Sequence, residues 1–337
     1  MRFLEFTKAA EVVVGFVLGV QPGEDVLVVR DTRVAEFPGA DALVEAIASA
    51  VHTRGAEPQV VNYVSRPIAG MEPPKVVSAA MKSADAVVIV STLSILQTIA
   101  ATEALAAGAR VVMLPPARYI YNSLDLLYRL MPTDSGQLKS MMDLAEALAD
   151  VFRKGKQVRL SSSKGTDVTL GIGQLKGFYN PSTARTPGAV TIIPGGQAGR
   201  GVNPGEAEGR LVIDGSASPM YRPLRDPIEM IVKGGKVIEV VGGSDAQEYR
   251  SFLADLDDPQ VYLVAEVGVG INPHARLSGT PLEDERILGA SWVAVGTNFH
   301  IGGAVKAKIH SDCVMLPPLT LSVDDRVVLK DRQFSVS

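Results

Sequence analysis

The pattern of apolar runs, glycine and proline changes near residue 155, and this change constrains the fold more than any other sequence feature. Before it, short valine-rich runs such as DVLVVRD (25–31) and ADAVVIVST (84–92) alternate with segments of helical spacing such as GADALVEAIASAVHTRG (39–55). Strands that alternate with helices form a parallel sheet covered on both faces. We therefore predict an α/β domain over residues 1–155, with a parallel sheet flanked by helices.

After residue 155, glycine and proline become frequent and the apolar runs shorten. The segment IVKGGKVIEV predicts a hairpin with Gly234 and Gly235 at its turn, because paired glycines suit the tight turns of hairpins. One helix is predicted over 245–256, in a region otherwise made of strands. Residues 156–337 are therefore predicted to form a β-rich α+β domain, which carries the functional site.

Composition excludes several classes of function. The net charge is −4 and no run of lysine and arginine is present, which argues against nucleic-acid binding. No window reaches the roughly 18 apolar residues of a membrane span. The single cysteine, Cys313, cannot form an intrachain disulfide and fits a reducing compartment. We expect a cytoplasmic protein that binds neither nucleic acid nor membranes.

The segment AKIHSDCVML (307–316) raises the question of a metal site. It has the pattern of a buried strand, and residues two apart on a strand point to the same face, so His310 and Asp312 share one face. A buried carboxylate is costly unless it is paired or bound to a metal. An ion pair, a strand-end turn and a metal site are all consistent with this motif.

Two further acidic segments lie in the second half of the chain. Glu266 follows the apolar run VYLVA, where a carboxylate is unusual for a strand, and PLEDER carries Glu283, Asp284 and Glu285. Acidic residues near the start of a helix are usually caps, which is the default interpretation for PLEDER. The glycines of GQAGRG lack the spacing and the context of a nucleotide-binding loop, and no G-x-S-x-G elbow is present.

The order of these segments resembles the leucyl aminopeptidase family typified by aminopeptidases T and S, which includes a related 2,5-dihydroxypyridine 5,6-dioxygenase branch. The matching segments are IPGGQAGRGVNPGEAEGRLVIDGSA, AEVGVGIN, LEDE, GASWVAVGTN and IHSD. In the aminopeptidases, glutamate, histidine and aspartate hold two metal ions. The resemblance implies that Glu266, His310 and Asp312 are metal ligands.

Other ligand positions of the aminopeptidases are not kept. The glutamate of the P-x-G-E loop falls on Gln197, the histidine of the H-x-A-x-G segment falls on Trp292, and the catalytic tyrosine falls near Phe299. The resemblance therefore implies a single divalent ion. Gln197, Trp292, Phe299 and Asn272 are the predicted substrate-binding residues, with the two aromatic rings forming an apolar wall.

In the dioxygenase branch, one non-haem iron is held by two histidines and a carboxylate, which leaves open positions for substrate and oxygen. The first of those histidines aligns with Glu266. His274 and His300 are candidates to supply a second nitrogen ligand, and with Glu266 they form the predicted catalytic set.

Three functions remain open at this point. The first is a metal-dependent, aminopeptidase-like hydrolase of a small substrate, favoured because Glu266 is kept. The second is an iron-dependent ring-cleaving dioxygenase, and the third is a small-molecule-binding relative without catalysis. The cofactor is predicted to be a divalent metal, namely iron, zinc or manganese. The partner is a small-molecule substrate, and the resemblance implies a homodimer.

Overall fold

The structure, a computed structural model, describes residues 2–36, 39–67, 71–96, 98–114, 135–180 and 182–336. It divides into two compact units. The first comprises Met1–Pro132 and Pro181–Gly195, and the second comprises Thr133–Asn180 and Gly196–Ser337. The mixed α/β architecture with a parallel sheet and a β-rich second part confirms the predicted fold class.

The first unit alternates strands and helices along the chain. Its helices are α1 (Arg2–Glu11), α2 (Ala40–Thr53), α3 (Lys75–Ser83) and α4 (Ile99–Ala106), with a π-helical turn at Val12–Val17 and a 3-10 turn at Thr32–Glu36. Its strands are β1 (Asp25–Asp31), β2 (Glu57–Tyr63), β3 (Ala86–Val90), β4 (Arg110–Met113) and β7 (Val190–Ile192).

These five strands form a parallel sheet in the order β2-β1-β3-β4-β7. Side chains of β1 alternate between two separate cores: Val28 packs in the core that includes Ile47 of α2, and Val29 packs in the core that includes Met81 of α3. Each face of the sheet therefore buries its own apolar layer, as the unbroken valine runs predict.

The second unit is mainly antiparallel. Its helices are α5 (Ser135–Lys154), α6 (Ser244–Asp255) and the short α7 (Pro281–Asp284), with 3-10 turns at Pro259–Tyr262 and Phe299–Ile301. Its strands are β5 (Gln157–Ser161), β6 (Asp167–Asn180), β8 (Gln197–Ile213), β9 (Ser216–Ala217), β10 (Ile228–Lys233), β11 (Lys236–Gly242), β12 (Val264–Gly270), β13 (Ser291–Gly296), β14 (His310–Met315), β15 (Thr320–Val323), β16 (Arg326–Lys330) and β17 (Gln333–Phe334).

These twelve strands form one sheet, ordered β17-β16-β15-β5-β6-β8-β12-β13-β14-β9, with β10 pairing to β8 and β11 pairing to β10. The predicted hairpin is present between β10 and β11. Gly234 and Gly235 have φ of 57° and 75°, which is the left-handed conformation that its two-residue turn requires.

The division into units differs in two places from the predicted boundary at residue 155. Helix α5 belongs to the second unit, where the buried guanidinium of Arg200 on β8 donates 2.5 Å from Nη1 to the carbonyl of Phe152 at the helix C-terminus. A cation at that end satisfies carbonyls that the helix leaves unpaired. Residues 181–195 return to the first unit, because β7 extends its parallel sheet beside β4.

No helix among the described residues is long and apolar enough to cross a membrane.

Candidate metal centre

Three adjacent strands of the second unit bring two carboxylates into one row. Glu266 on β12 is directly opposite Ala294 on β13, and Ala294 is directly opposite Asp312 on β14. Directly opposite residues of antiparallel strands point to the same face, and neighbouring strands lie about 4.8 Å apart. The small Ala294 between two acidic residues leaves space above the sheet that their carboxylates can share.

His310 completes this group, and we call Glu266, His310 and Asp312 the triad. The imidazole Nε2 lies 3.2 Å from Oδ1 of Asp312 and 3.6 Å from Oε1 of Glu266. One potential ligand atom from each residue falls within 4.8 Å of the others, and among the described residues this is the one such group of histidine, cysteine and acidic side chains. The strand predicted from residue 307 begins at His310 in the structure, and this strand, β14, places His310 and Asp312 on the same face.

The hydrogen bond made by Nδ1 of His310 determines which ring nitrogen faces Glu266 and Asp312. His310 Nδ1 lies 2.8 Å from the backbone carbonyl of Thr297. A carbonyl only accepts hydrogen bonds, so Nδ1 donates to it and Nε2 faces Glu266 and Asp312; when Nε2 carries no proton, its lone pair is available to a metal ion. Histidine ligands of metal ions are commonly oriented by a backbone carbonyl in this way, so the donor set fits a divalent metal ion.

The electrostatics of the triad favour a positive charge. Burial opposes protonation of His310, but the charges of Asp312 and Glu266 outweigh it and hold the pKa of this histidine well above its ordinary value. A proton on Nε2 and a metal ion therefore compete for the same place between the two carboxylates.

Glu285 is a further acidic residue close to the triad. Burial is the main reason why the pKa of its carboxyl lies well above the ordinary value, and the charge of Asp312 adds to the effect. Arg286 partly compensates, with Nη1 at 3.7 Å from Oε2 of Glu285. Because Glu285 directly follows Asp284 in a segment interpreted as a helix start, the sequence did not indicate that Glu285 lies close to His310.

Trp292 contacts the triad directly. Its indole Nε1 donates a 3.2 Å hydrogen bond to Oε1 of Glu266, and the side chain is fully buried. Gln197 lies on the same face of the sheet, since it pairs with Gly270 on β12, four residues along from Glu266. Its Oε1 is buried and has no hydrogen-bond partner within the described part of the chain.

His274 and Asn272 lie outside the triad. The fully buried Asn272 accepts the backbone N–H of His274 on Oδ1 at 2.9 Å, which stabilises the turn after β12. His274 Nε2 lies 3.3 Å from Oε1 of Gln137 on α5. The structure thus shows a hydrogen bond to a helix for His274, and a second nitrogen ligand remains a prediction only.

Phe299 and Trp292 lie in different surroundings, so the structure does not show the predicted aromatic wall. Phe299 is 59% exposed, and the ammonium of Lys306 lies 4.5 Å from its ring centroid, whereas Trp292 packs in a core with Ile287 and Val314. An exposed loop ring gains little from burial, which is why apolar character alone does not place it in a pocket. The side chain of His300, in the same 3-10 turn as Phe299, lies outside the described residues.

The acidic stretch before β13 does not cap its own helix as expected, because the helix has no side-chain cap hydrogen bond and its carboxylates bind the preceding loop. Glu283 accepts the backbone N–H of Arg276 at 2.9 Å, and Asp284 accepts that of Ser278 at 2.7 Å. Both carboxylates are buried, and burial raises the pKa of Asp284 to about 6. These residues therefore order the loop that precedes α7.

The antiparallel sheet of the second unit thus carries three convergent residues that could hold a metal ion. The family follows from comparison of the sequence with known families. The family model described as NicX, 2,5-dihydroxypyridine 5,6-dioxygenase, matches residues 17–335, and the chain belongs to this family. The 2,5-dihydroxypyridine 5,6-dioxygenase of Pseudomonas putida KT2440 is 24% identical over 263 residues, which cover 74% of this chain and 71% of that protein.

Two solved structures share the whole fold. The 2,5-dihydroxypyridine dioxygenase of Pseudomonas putida KT2440 superposes with a TM-score of 0.82 at 21% identity, covering 99% of this chain and 97% of that one. Wild-type AmpT of Thermus thermophilus superposes with a TM-score of 0.70 at 13% identity, covering 98% and 99%. The resemblance to the aminopeptidases therefore holds for the fold, while family membership lies with the dioxygenases. This enzyme family supports the second of the three predicted functions better than the first.

Proposed function

We propose that this enzyme is an iron-dependent dioxygenase that opens a small hydroxylated pyridine-type ring with molecular oxygen. Membership of the dioxygenase family over residues 17–335 is the observation that carries the proposal. The geometry of the triad supports it, because Glu266, His310 and Asp312 offer ligand atoms for one ion within 4.8 Å of one another.

The chain's own residues supply three potential ligands. Glu266 and Asp312 would bind through carboxylate oxygens and His310 through Nε2, while Thr297 holds the imidazole by its Nδ1–H. An iron(II) ion held by only these three protein ligands would keep positions open for a chelating ring and oxygen.

Glu266 is the departure from the dioxygenase pattern, in which a histidine is implied at this position. A set of one nitrogen and two oxygen donors is harder than two histidines and a carboxylate, and it suits ions such as manganese relatively better. The same residue favours the second candidate, a hydrolase in which the metal activates water. The homodimer and the cytoplasmic location implied above remain predictions.

Separate loading with Fe²⁺, Mn²⁺ and Zn²⁺ under argon distinguishes the two functions. We expect the Fe²⁺ protein to consume one O₂ for each 2,5-dihydroxypyridine lost, measured with an oxygen electrode and by ultraviolet absorbance. Asp312→Ala, loaded in the same way, should show neither change. Hydrolysis of amino-acid 4-nitroanilides by the Zn²⁺ or Mn²⁺ protein, without oxygen uptake by any form, would overturn the proposal in favour of the hydrolase.

A further inference from the structure

We propose that Trp292 is the positioning residue of the metal centre: its indole N–H fixes the Glu266 carboxylate, and its ring fills the space over the sheet beside that carboxylate. The inference rests on the metal centre of the proposed function, and it is independent of the oxygen chemistry. The evidence is the register of four strands, the space around the ring and the hydrogen bond.

The register places Trp292 midway between Glu266 and Gln197. Along β12, Glu266, Gly268 and Gly270 point to the same face, and their partners include Trp292 opposite Gly268 and Gln197 opposite Gly270. Four residues of strand span about 13 Å. Along β12, the Trp292 ring therefore covers Gly268, the residue between the positions of Glu266 and Gly270 on this face.

Glycine makes room for the ring. A Cβ on Gly268 would lie 2.2 Å from Cζ2 of Trp292, so the indole lies directly over the backbone of β12. In the same row, Gly199 on β8 lies beneath the ring of Phe178, whose centroid is 6.4 Å from that of Trp292. The indole is held between the sheet and neighbouring apolar side chains, and it is fully buried, so it cannot move aside for an ion.

The hydrogen bond gives this ring its positioning role. The indole nitrogen only donates, and its acceptor is Oε1 of Glu266 at 3.2 Å, the same oxygen that lies 3.6 Å from Nε2 of His310. The indole N–H therefore restricts the rotation of the Glu266 carboxylate and keeps Oε1 close to His310. Partners that orient a metal ligand in this way contribute about 10- to 100-fold to metal affinity.

The chain has one tryptophan, so a single indole N–H resonance reports on this contact. Titration of ¹⁵N-labelled protein with Zn²⁺ should shift that resonance and saturate at one equivalent. Calorimetry with Mn²⁺ should show about tenfold weaker binding to Trp292→Phe, which keeps an aromatic ring but loses the donor. Phe178→Leu is the matched control, because it loosens packing on the indole and leaves the N–H in place; its affinity should stay within about twofold.

Equal Mn²⁺ affinity in Trp292→Phe and the unmodified protein would overturn the inference, as would an indole resonance that does not move at saturating Zn²⁺. The resonance decides the question even if Trp292→Phe fails to fold, because it uses the unmodified protein. If the variant binds Mn²⁺ weakly and no form consumes oxygen, the inference stands and the dioxygenase proposal fails. If no ion binds to the unmodified protein, both fail.

Discussion

Two buried carboxylate clusters of the second unit differ in how their charge is compensated. Asp245, at the start of α6, accepts from Arg222 Nη1 and Nη2 at 2.9 and 3.0 Å and from Arg225 Nη2 at 2.9 Å, with the Arg225 backbone N–H at 2.6 Å. In the triad, the carboxylates of Glu266 and Asp312 share the single imidazole of His310.

The difference separates a structural cluster from one suited to a cation. Hydrogen bonding from Arg222 is the main reason why the pKa of Asp245 lies well below its ordinary value, so its charge is satisfied within the protein. In the triad, burial opposes protonation of His310, but the charges of Asp312 and Glu266 outweigh it and hold the pKa of this histidine above its ordinary value. Two carboxylates that converge on one imidazole are suited to a cation, because a buried carboxylate is costly unless it is paired or bound to a metal.

The largest expected effect is on metal binding by Asp312→Ala. Loss of one of three ligands should weaken Mn²⁺ binding by at least about 100-fold, since affinity depends on the number and type of ligands. Isothermal titration calorimetry measures it. Unchanged binding would mean that His310 and Asp312 form only a buried ion pair on a strand.

The converse change is Asp245→Ala, which should leave Mn²⁺ affinity unchanged in the folded protein. It removes the buried acceptor of two guanidinium groups that are 30% and 66% exposed, and we expect the free energy of unfolding to fall by about 1–3 kcal/mol. Urea denaturation of the metal-free protein measures this loss. The control is Asp167→Ala, which removes an exposed ion pair with Arg159 and should cost much less than Asp245→Ala, because solvent screens exposed pairs. Equal losses in the two variants would contradict the account.

The pH dependence of binding should follow His310. Its pKa in the folded protein is raised, so at lower pH a proton occupies Nε2 and must leave before the ion binds. Mn²⁺ affinity should therefore rise with pH, by at most about tenfold per unit, until the pH passes the raised pKa. Calorimetry at several pH values measures this trend. An affinity that stays constant from neutral to alkaline pH would show that His310 is not a ligand.

The smallest expected effect is the gain of a second, weaker ion by Gln197→Glu combined with Trp292→His. These changes place a carboxylate and an imidazole on the face that already carries Glu266, with the indole removed. Calorimetric capacity for Zn²⁺ or Mn²⁺ should rise from one towards two per chain. Trp292→His alone is the control, and a capacity that remains at one in the double variant would mean that the strands no longer permit a dinuclear geometry.

Much of the fold, and the shared face of His310 and Asp312, could be predicted from local sequence patterns. Valine runs with helical segments between them predict a parallel sheet, and the two-residue period of a strand predicts that His310 and Asp312 share a face. Glu266 is separated by 44 positions from His310 in the sequence, and only the family resemblance linked them.

Features that depend on strand register could not be predicted from the sequence. The sequence shows that position 292 carries a tryptophan, which is not a metal ligand. The hydrogen bond from Trp292 to Glu266, however, depends on the pairing of β12 with β13. The return of residues 181–195 to the first unit depends on the pairing of β7 with β4. The salt bridges of Asp245 connect a loop to a helix that follows 20 residues later. No local period carries information of either kind.

Stoichiometry tests the central claim most directly. The unmodified protein, stripped of metal and titrated anaerobically with Fe²⁺ or with Mn²⁺, should bind one tight divalent ion per chain, because Glu266, His310 and Asp312 supply ligands for one ion and Trp292 fills the adjacent space. Two tight ions per chain would contradict the account and restore a dinuclear centre of the aminopeptidase kind.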